Sequence, residues 1–142
     1  MDTVAGMERD RTNPASAAEP CFDVFVGGCP SRPALEHITG RWGVLTLAGL
    51  QTQPLRFNEL RRRIDGVSQK MLAQTLHELE RDGLVHREVL SAFPPRVEYS
   101  LTPLGAQTAA KLLDLIGHLE SHMPAILAAQ ESYDRERQAT EA

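Results

Sequence analysis

The hydrophobic period of this chain changes from about 3.6 residues to about 2 across Gly83, and that change limits what it can fold into. Before it, Leu72, Leu76 and Leu79 recur at i, i+4 and i+7, which predicts an amphipathic helix over residues 68–82. Ser68 stands where its hydroxyl can accept a free backbone N–H of the first turn. Gly83 stands where a left-handed residue ends a helix. After it, residues 84–90 read as a strand, Ser91-Ala92-Phe93-Pro94-Pro95 as a loop, and residues 96–101 as a second strand with Val97, Tyr99 and Leu101 on one face. A helix followed directly by a hairpin is therefore the centre of the chain.

Three shorter helices are predicted upstream. Residues 31–39 open on Pro30 and Pro33 and turn Leu35 and Ile38 inward. Residues 41–51 are apolar nearly all round, with Trp42, Leu45 and Gly49 on one face, so this helix is expected at the centre of its domain. Leu55-Arg56 reads as a minimal strand, and residues 57–64 as a helix with Phe57, Leu60 and Ile64 inward. Asp65-Gly66-Val67 joins that helix to the next, a helix-turn-helix pattern. Downstream, Thr102-Pro103 caps a helix expected to run to about residue 131, in which Gly117 weakens the helix or permits close packing and Pro124 kinks or breaks it. Its stripe of Leu112, Leu115, Ile116, Leu119, Met123, Ile126 and Leu127 is longer than a small core can cover, and a second copy of the chain would cover the excess. The fold class expected is mainly α with a small β-hairpin, an α+β winged helix-turn-helix with a long C-terminal dimerisation helix.

At 142 residues the chain holds one domain with tails. The expectation is a disordered tail over 1–20, a domain over 21–131 in which 21–28 form a short strand or docked arm, and a frayed tail over 132–142. No apolar run approaches the ~20 residues of a membrane span, no secretory leader pattern opens the chain, and two cysteines make no disulfide scaffold, so a cytoplasmic location is the default. The net charge of −4 looks unsuited to nucleic acid. Its distribution reverses that impression. Residues 1–28 hold two arginines against five acids, residues 102–142 three basic residues against six acids, and residues 29–101 ten against eight. The positive charge is confined to the helix-turn-helix and hairpin.

Six segments carry a further signal: Cys29-Pro30; Gly40-Arg41-Trp42; Arg56-Phe57-Asn58-Glu59-Leu60; Ser68-Gln69-Lys70-Met71-Leu72; residues 76–85; and residues 94–105. Together, in order and at these spacings, they resemble the HxlR-type transcriptional regulators, relatives of the MarR group, over about residues 29–120. The resemblance implies a homodimer, built from the N-terminal and C-terminal helices, that binds double-stranded DNA. The helix at 68–82 would be the recognition helix, and Ser68, Gln69, Lys70, Gln74 and Arg96 would contact DNA. His77 departs from the pattern, standing where the family often has arginine. Glutamine amides suit adenine edges, lysine suits guanine or phosphate, and a helix N-terminus suits phosphate. A solvated helix face is the plainer reading of the same residues. Arg61, Arg62 and Arg63 are divided equally between phosphate contacts and simple solvation.

Several regulators of this family resemble one another in sensing oxidants or electrophiles through a cysteine at the position of Cys29. A helix N-terminus favours thiolate, the reactive form, and Arg32 is near in sequence. The plainer reading of Cys29 is a small buried residue at a dimer interface. Cys21 is the candidate to resolve a sulfenic acid on Cys29, within a chain or between subunits. His118 and His122 share a helix face at metal-binding spacing without a third ligand at a matching interval, so a solvated face is expected. No cofactor is implied, and no small-molecule effector is specified. The absence of a phosphate loop and of a nucleophile–base pair makes an enzyme the weakest class. A winged-helix module that binds protein instead of DNA is the principal alternative.

Overall fold

The computed structural model describes residues 21–141. Six helices and three strands follow one another as α1 (Ser31–Thr39), α2 (Arg41–Gly49), β1 (Leu55–Arg56), α3 (Phe57–Arg63), α4 (Gln69–Arg81), β2 (Val85–Ala92), β3 (Pro95–Leu101), α5 (Pro103–Ser121) and α6 (Met123–Glu141). The strands form an antiparallel sheet in the order β1-β3-β2. This is the expected winged helix-turn-helix, mixed α and β.

The leucine stripe of α4 is at the centre of the core. Leu72 and Leu79 are completely buried and Leu76 nearly so, with Leu47 and Leu50 of the α2 segment, Leu60 and Ile64 from the α3 segment, and Ala109 and Leu112 of α5. Helix α2 is central, as its apolar surface predicts, but its inward face differs from expectation. Thr46 and Leu47 are buried, whereas Leu45 is exposed. The reason is that α2 is packed by α1, α4 and α5 on different sides, and Leu45 falls on the side none of them covers. Leu35 of α1 is likewise exposed, and no residue of α1 is fully buried.

The segment 21–28 is neither strand nor extended arm. It folds into successive turns, with the Phe25 N–H donating to Asp23 Oδ1 at 3.0 Å and the Cys29 N–H donating to Val26 O at 3.1 Å. An aspartate that captures a backbone N–H two residues on competes with strand formation. The hairpin is tighter than expected. Strand β2 continues to Ala92, which pairs with Pro95, so only Phe93 and Pro94 form the turn. Pro95 lacks a donor, yet the first residue of a strand tolerates it. A register shift between Val89 and Ser91 absorbs one residue of β2.

Thr102 caps α5 as predicted, accepting from the Gly105 N–H at 3.0 Å. The long C-terminal helix is two helices. It breaks at His122, because Pro124 has no N–H for the carbonyl one turn back and its ring crowds that carbonyl. Nor is the region after 131 frayed: α6 reaches Glu141. Arg135 pairs with Glu131 at 2.8 Å, Arg137 with Glu141 at 3.6 Å, and the Arg137 guanidinium lies 5.8 Å from the Tyr133 ring. Pairs at i, i+4 support an exposed helix by a few tenths of a kcal/mol each. No α6 residue is buried within the chain. Gly117 meets nothing within contact distance, so it serves no close packing inside the chain.

Gly105 does. A Cβ there would stand 1.9 Å from the Leu84 carbonyl oxygen, so the start of α5 can lie against the α4–β2 junction only without a side chain. Gly105→Ala should therefore lower stability by about 1–3 kcal/mol through overpacking against backbone, read as a lower urea midpoint at unchanged slope.

Candidate nucleic-acid interface

Helix α4 is fixed at both ends. At the start, Ser68 Oγ accepts from the Met71 N–H at 3.1 Å, as its position predicts. At the end, the Leu84 N–H donates to Leu79 O at 2.9 Å and the Gly83 N–H to Glu80 O at 3.0 Å. That pair of bonds is the Schellman closure, which needs a left-handed residue, and Gly83 has φ +79°. The chain leaves the helix at an angle that starts β2 at Val85.

With the leucines buried, the opposite face has one orientation left to it. Gln69, Lys70, Ala73, Gln74 and His77 are all exposed. The face carries more acid than its sequence suggests. Glu78, half-buried at its edge, takes the Gln74 amide in a long 3.5 Å hydrogen bond. Around this helix, Arg61 and Arg62 are exposed on α3, and Arg96 is exposed near the start of β3. Among the described residues, none of Arg56, Arg61, Arg62, Arg63, Lys70 or Arg96 has a carboxylate within ion-pair distance. The tip of the wing is apolar, with Phe93 almost fully exposed.

Two features at this surface escaped the sequence reading. Arg56 joins Arg62 and Arg96 around an open notch between α3 and β3. In sequence Arg56 opened one of the family-like segments, but nothing there tied it to Arg96, which the β1–β3 pairing brings near. The other is His37. Its Nδ1 lies 2.6 Å from Asp82 Oδ2, and its Nε2 lies 4.0 Å from Glu78 Oε2. A carboxylate only accepts, so Nδ1 carries the proton of the short bond. His37 thus ties α1 to the C-cap of α4 across 45 residues of sequence. No local pattern announces such a contact.

The cysteines lie ahead of α1. Cys21 and Cys29 form a disulfide, with Cα atoms 5.2 Å apart, and Cys29 is buried. Arg32 does not attend a thiolate here. Its Nε–H donates to Val24 O at 2.6 Å and its Nη2 to Phe25 O at 3.2 Å, closing the loop between the two cysteines. His118 and His122 stack with ring centroids 4.5 Å apart, and His122 Nδ1 lies 2.8 Å from the His118 carbonyl oxygen. Among the described residues no group of three metal-ligating side chains exists. No described helix is long and apolar enough to cross a membrane. Trp42 is half-buried against the core, under the Arg41 guanidinium at 4.8 Å.

Comparison with known proteins places this arrangement. The HxlR-like helix-turn-helix family matches residues 37–126. The uncharacterized HTH-type transcriptional regulator YtfH of Escherichia coli strain K12 is 49% identical over 109 residues, 77% of this chain and 86% of that one. The solved structure of ytfH from Salmonella typhimurium superposes with a TM-score of 0.74 at 48% identity, covering 78% of this chain and 98% of the other. The reduced form of the redox regulator HypR superposes with a TM-score of 0.64 at 37% identity, over 70% of this chain and 98% of HypR.

The His37–Asp82 contact has a measurable consequence. His37→Ala and Asp82→Ala should each lower stability by about 1 kcal/mol, a charged hydrogen bond discounted for partial exposure. The double variant should cost less than the sum of the two, and a double-mutant cycle in urea measures the difference.

Proposed function

The chain belongs to the HxlR-like helix-turn-helix family of transcriptional regulators, and from that premise we propose that it acts as a homodimer on a pseudo-palindromic DNA operator. The observation that carries this reading is the exposed amide-and-lysine face of α4, flanked by arginines without acidic partners. Helix α4 enters the major groove. Gln69 and Gln74 offer the paired donor and acceptor that adenine edges require, and Lys70 reaches guanine or phosphate. Ser68 and the free N–H groups behind it hold a phosphate. Arg61 and Arg62 meet the backbone, Arg96 follows the wing, and His77 adds a contact that is cationic only when protonated. Gln74 exchanges its long bond to Glu78 for a base.

The dimer follows from what the single chain leaves uncovered. Phe22, Phe25 and Leu35 are exposed at the N-terminal end, and Leu115, Leu119 and Leu127 along the C-terminal helices. Two copies related by a two-fold axis cover both sets and present α4 twice, one helical turn of DNA apart.

A redox reading has its own support in the Cys21–Cys29 disulfide and in the likeness to HypR. Two thiols lose two protons and two electrons to an oxidant such as hypochlorite or a quinone, and the two sulfurs join. The resulting closed loop leads directly into α1, whose His37 holds the end of α4. The state of the pair is thereby connected to the DNA-reading helix.

Lys70→Ala and Gln74→Ala should each weaken operator binding by about 1–3 kcal/mol in a gel shift at fixed salt, with little change on random duplex for Gln74. Unchanged operator affinity in both variants would overturn the docking. For the cysteines, adding a thiol reductant to the oxidised parent protein should shift operator affinity, and Cys21→Ser and Cys29→Ser should not respond. A Cys29→Ser protein that still answers hypochlorite as the parent does would end the sensing proposal.

A further inference from the structure

We propose that His118 and His122 form a two-histidine clamp for an exchangeable divalent transition-metal ion at the end of α5. The proposal does not depend on how α4 meets DNA. Spacing at i, i+4 puts both side chains on one helix face, and both are exposed, with ring centroids 4.5 Å apart. Spacing alone leaves two solvated imidazoles. The structure adds a reason for them to be oriented.

That reason is the helix break. Beside Pro124, the His122 backbone N–H turns to Leu119 O at 3.0 Å and no longer serves His118 O, its regular partner one turn back. The His122 ring takes the vacated carbonyl. Its Nδ1 lies 2.8 Å from His118 O, and the Ser121 hydroxyl donates to the same oxygen at 2.9 Å. A carbonyl only accepts, so Nδ1 carries the proton and Nε2 keeps its lone pair. Metal-ligating histidines are held in this way, one ring nitrogen donating to a backbone carbonyl while the other is left for the metal. Among the described residues the His118 ring makes no hydrogen bond, so it can turn a nitrogen toward the same point.

Two imidazoles select the class of ion. Nitrogen ligands suit zinc, nickel and copper, whereas magnesium and calcium require oxygen. A metal about 2.0–2.1 Å from each nitrogen needs the two nitrogens roughly 3.3 Å apart, within reach of a rotation of the exposed His118 ring. Between Thr102 and Met123 the charged side chains are Lys111, Asp114 and Glu120, one base against two acids, which favours a cation. With two protein ligands the remaining positions take water, and the ion stays exchangeable. Helix α6 starts at Met123 and has no buried residue, so an ion bridging the last turn of α5 stiffens the point from which α6 departs.

The test titrates Zn²⁺, Ni²⁺, Cu²⁺ and Mg²⁺, each alone, into the oxidised full chain without a polyhistidine tag, by isothermal titration calorimetry. Oxidation matters because the Cys21–Cys29 disulfide then removes both thiols as ligands. One transition-metal ion should bind per chain, Cu²⁺ most tightly, and Mg²⁺ should not bind. Losing an outer-shell partner of a ligand already costs about 10-fold or more in affinity, so His118→Gln and His122→Gln should each cost at least as much. His77→Gln, outside the pair, should bind as the parent does. Electron paramagnetic resonance of the Cu²⁺ complex should show coupling to two imidazole nitrogens in the parent and to one in either variant. Both residues are exposed, so the variants should fold, and the thermal midpoint without metal checks this. Added Zn²⁺ should raise that midpoint in the parent alone. Full binding kept by the double variant, one ion per two chains, or saturation by Mg²⁺ would each overturn the clamp. Failure of the parent to bind any of these ions at millimolar concentration would overturn it too, and would leave the reading of α4 standing.

Discussion

The burial of Leu72, Leu76 and Leu79 is the contact on which the rest of this structure depends. Three leucines on one stripe of α4, seated against Leu47, Leu60 and Leu112, fix the helix in rotation about its own axis. A rotation of a quarter turn would expose one leucine and bury an amide or lysine, and both changes are unfavourable by more than about 1 kcal/mol. The face bearing Gln69, Lys70 and Gln74 is therefore held outward by packing on the other side of the same helix. The outward direction of that face is thus a consequence of core formation.

Rotation alone does not set the position of a helix along its axis, and the ends of α4 do that. Ser68 satisfies one of the free N–H groups at the start, while the Gly83 closure and the His37 contact to Asp82 fix the finish. These three fixings differ in kind. The cap and the closure are local to the α4 segment, whereas His37 belongs to α1, a helix with no fully buried residue of its own. Helix α1 is thus the least anchored of the elements that touch α4, and it begins just after the Cys21–Cys29 loop. Modest changes at the N-terminal end are placed to reach α4 through one short hydrogen bond. Core burial keeps α4 in place while that contact adjusts it.

Charge follows the same economy of placement. The protein is acidic overall, with acids outnumbering basic residues in both end segments of the sequence, and arginines without carboxylate partners are gathered between α3 and the wing. Long-range repulsion from a net charge of −4 is screened beyond about 10 Å at moderate salt. Close to the surface, the local arginines dominate the field.

The winged architecture was legible in the residues because its signals are local. The leucine period, the Ser68 and Thr102 caps, Gly83 and the change of period after it each act within a few residues, and each appears in the structure where the pattern puts it. The amphipathic face of α4 was legible for the same reason. Readings that required knowing what packs against what were the ones that failed. Leu35 and Leu45 are apolar residues at helical spacing, yet they lie on sides no element of this chain covers. The break at His122 was announced by Pro124, but continued helix to Glu141 depended on ion pairs along an exposed surface. The joining of Cys21 to Cys29 within one chain accompanies the turns of residues 21–28, whereas the sequence left pairing within a chain or between subunits open. His37 on Asp82, and Arg56 beside Arg62 and Arg96, bring together residues far apart along the chain. Sequence determined which faces of the helices are apolar and where α4 and α5 are capped, since these are set by backbone hydrogen bonding and side-chain period. Tertiary structure decided which distant side chains share a surface, because that depends on how layers stack, and stacking is a property of the whole core.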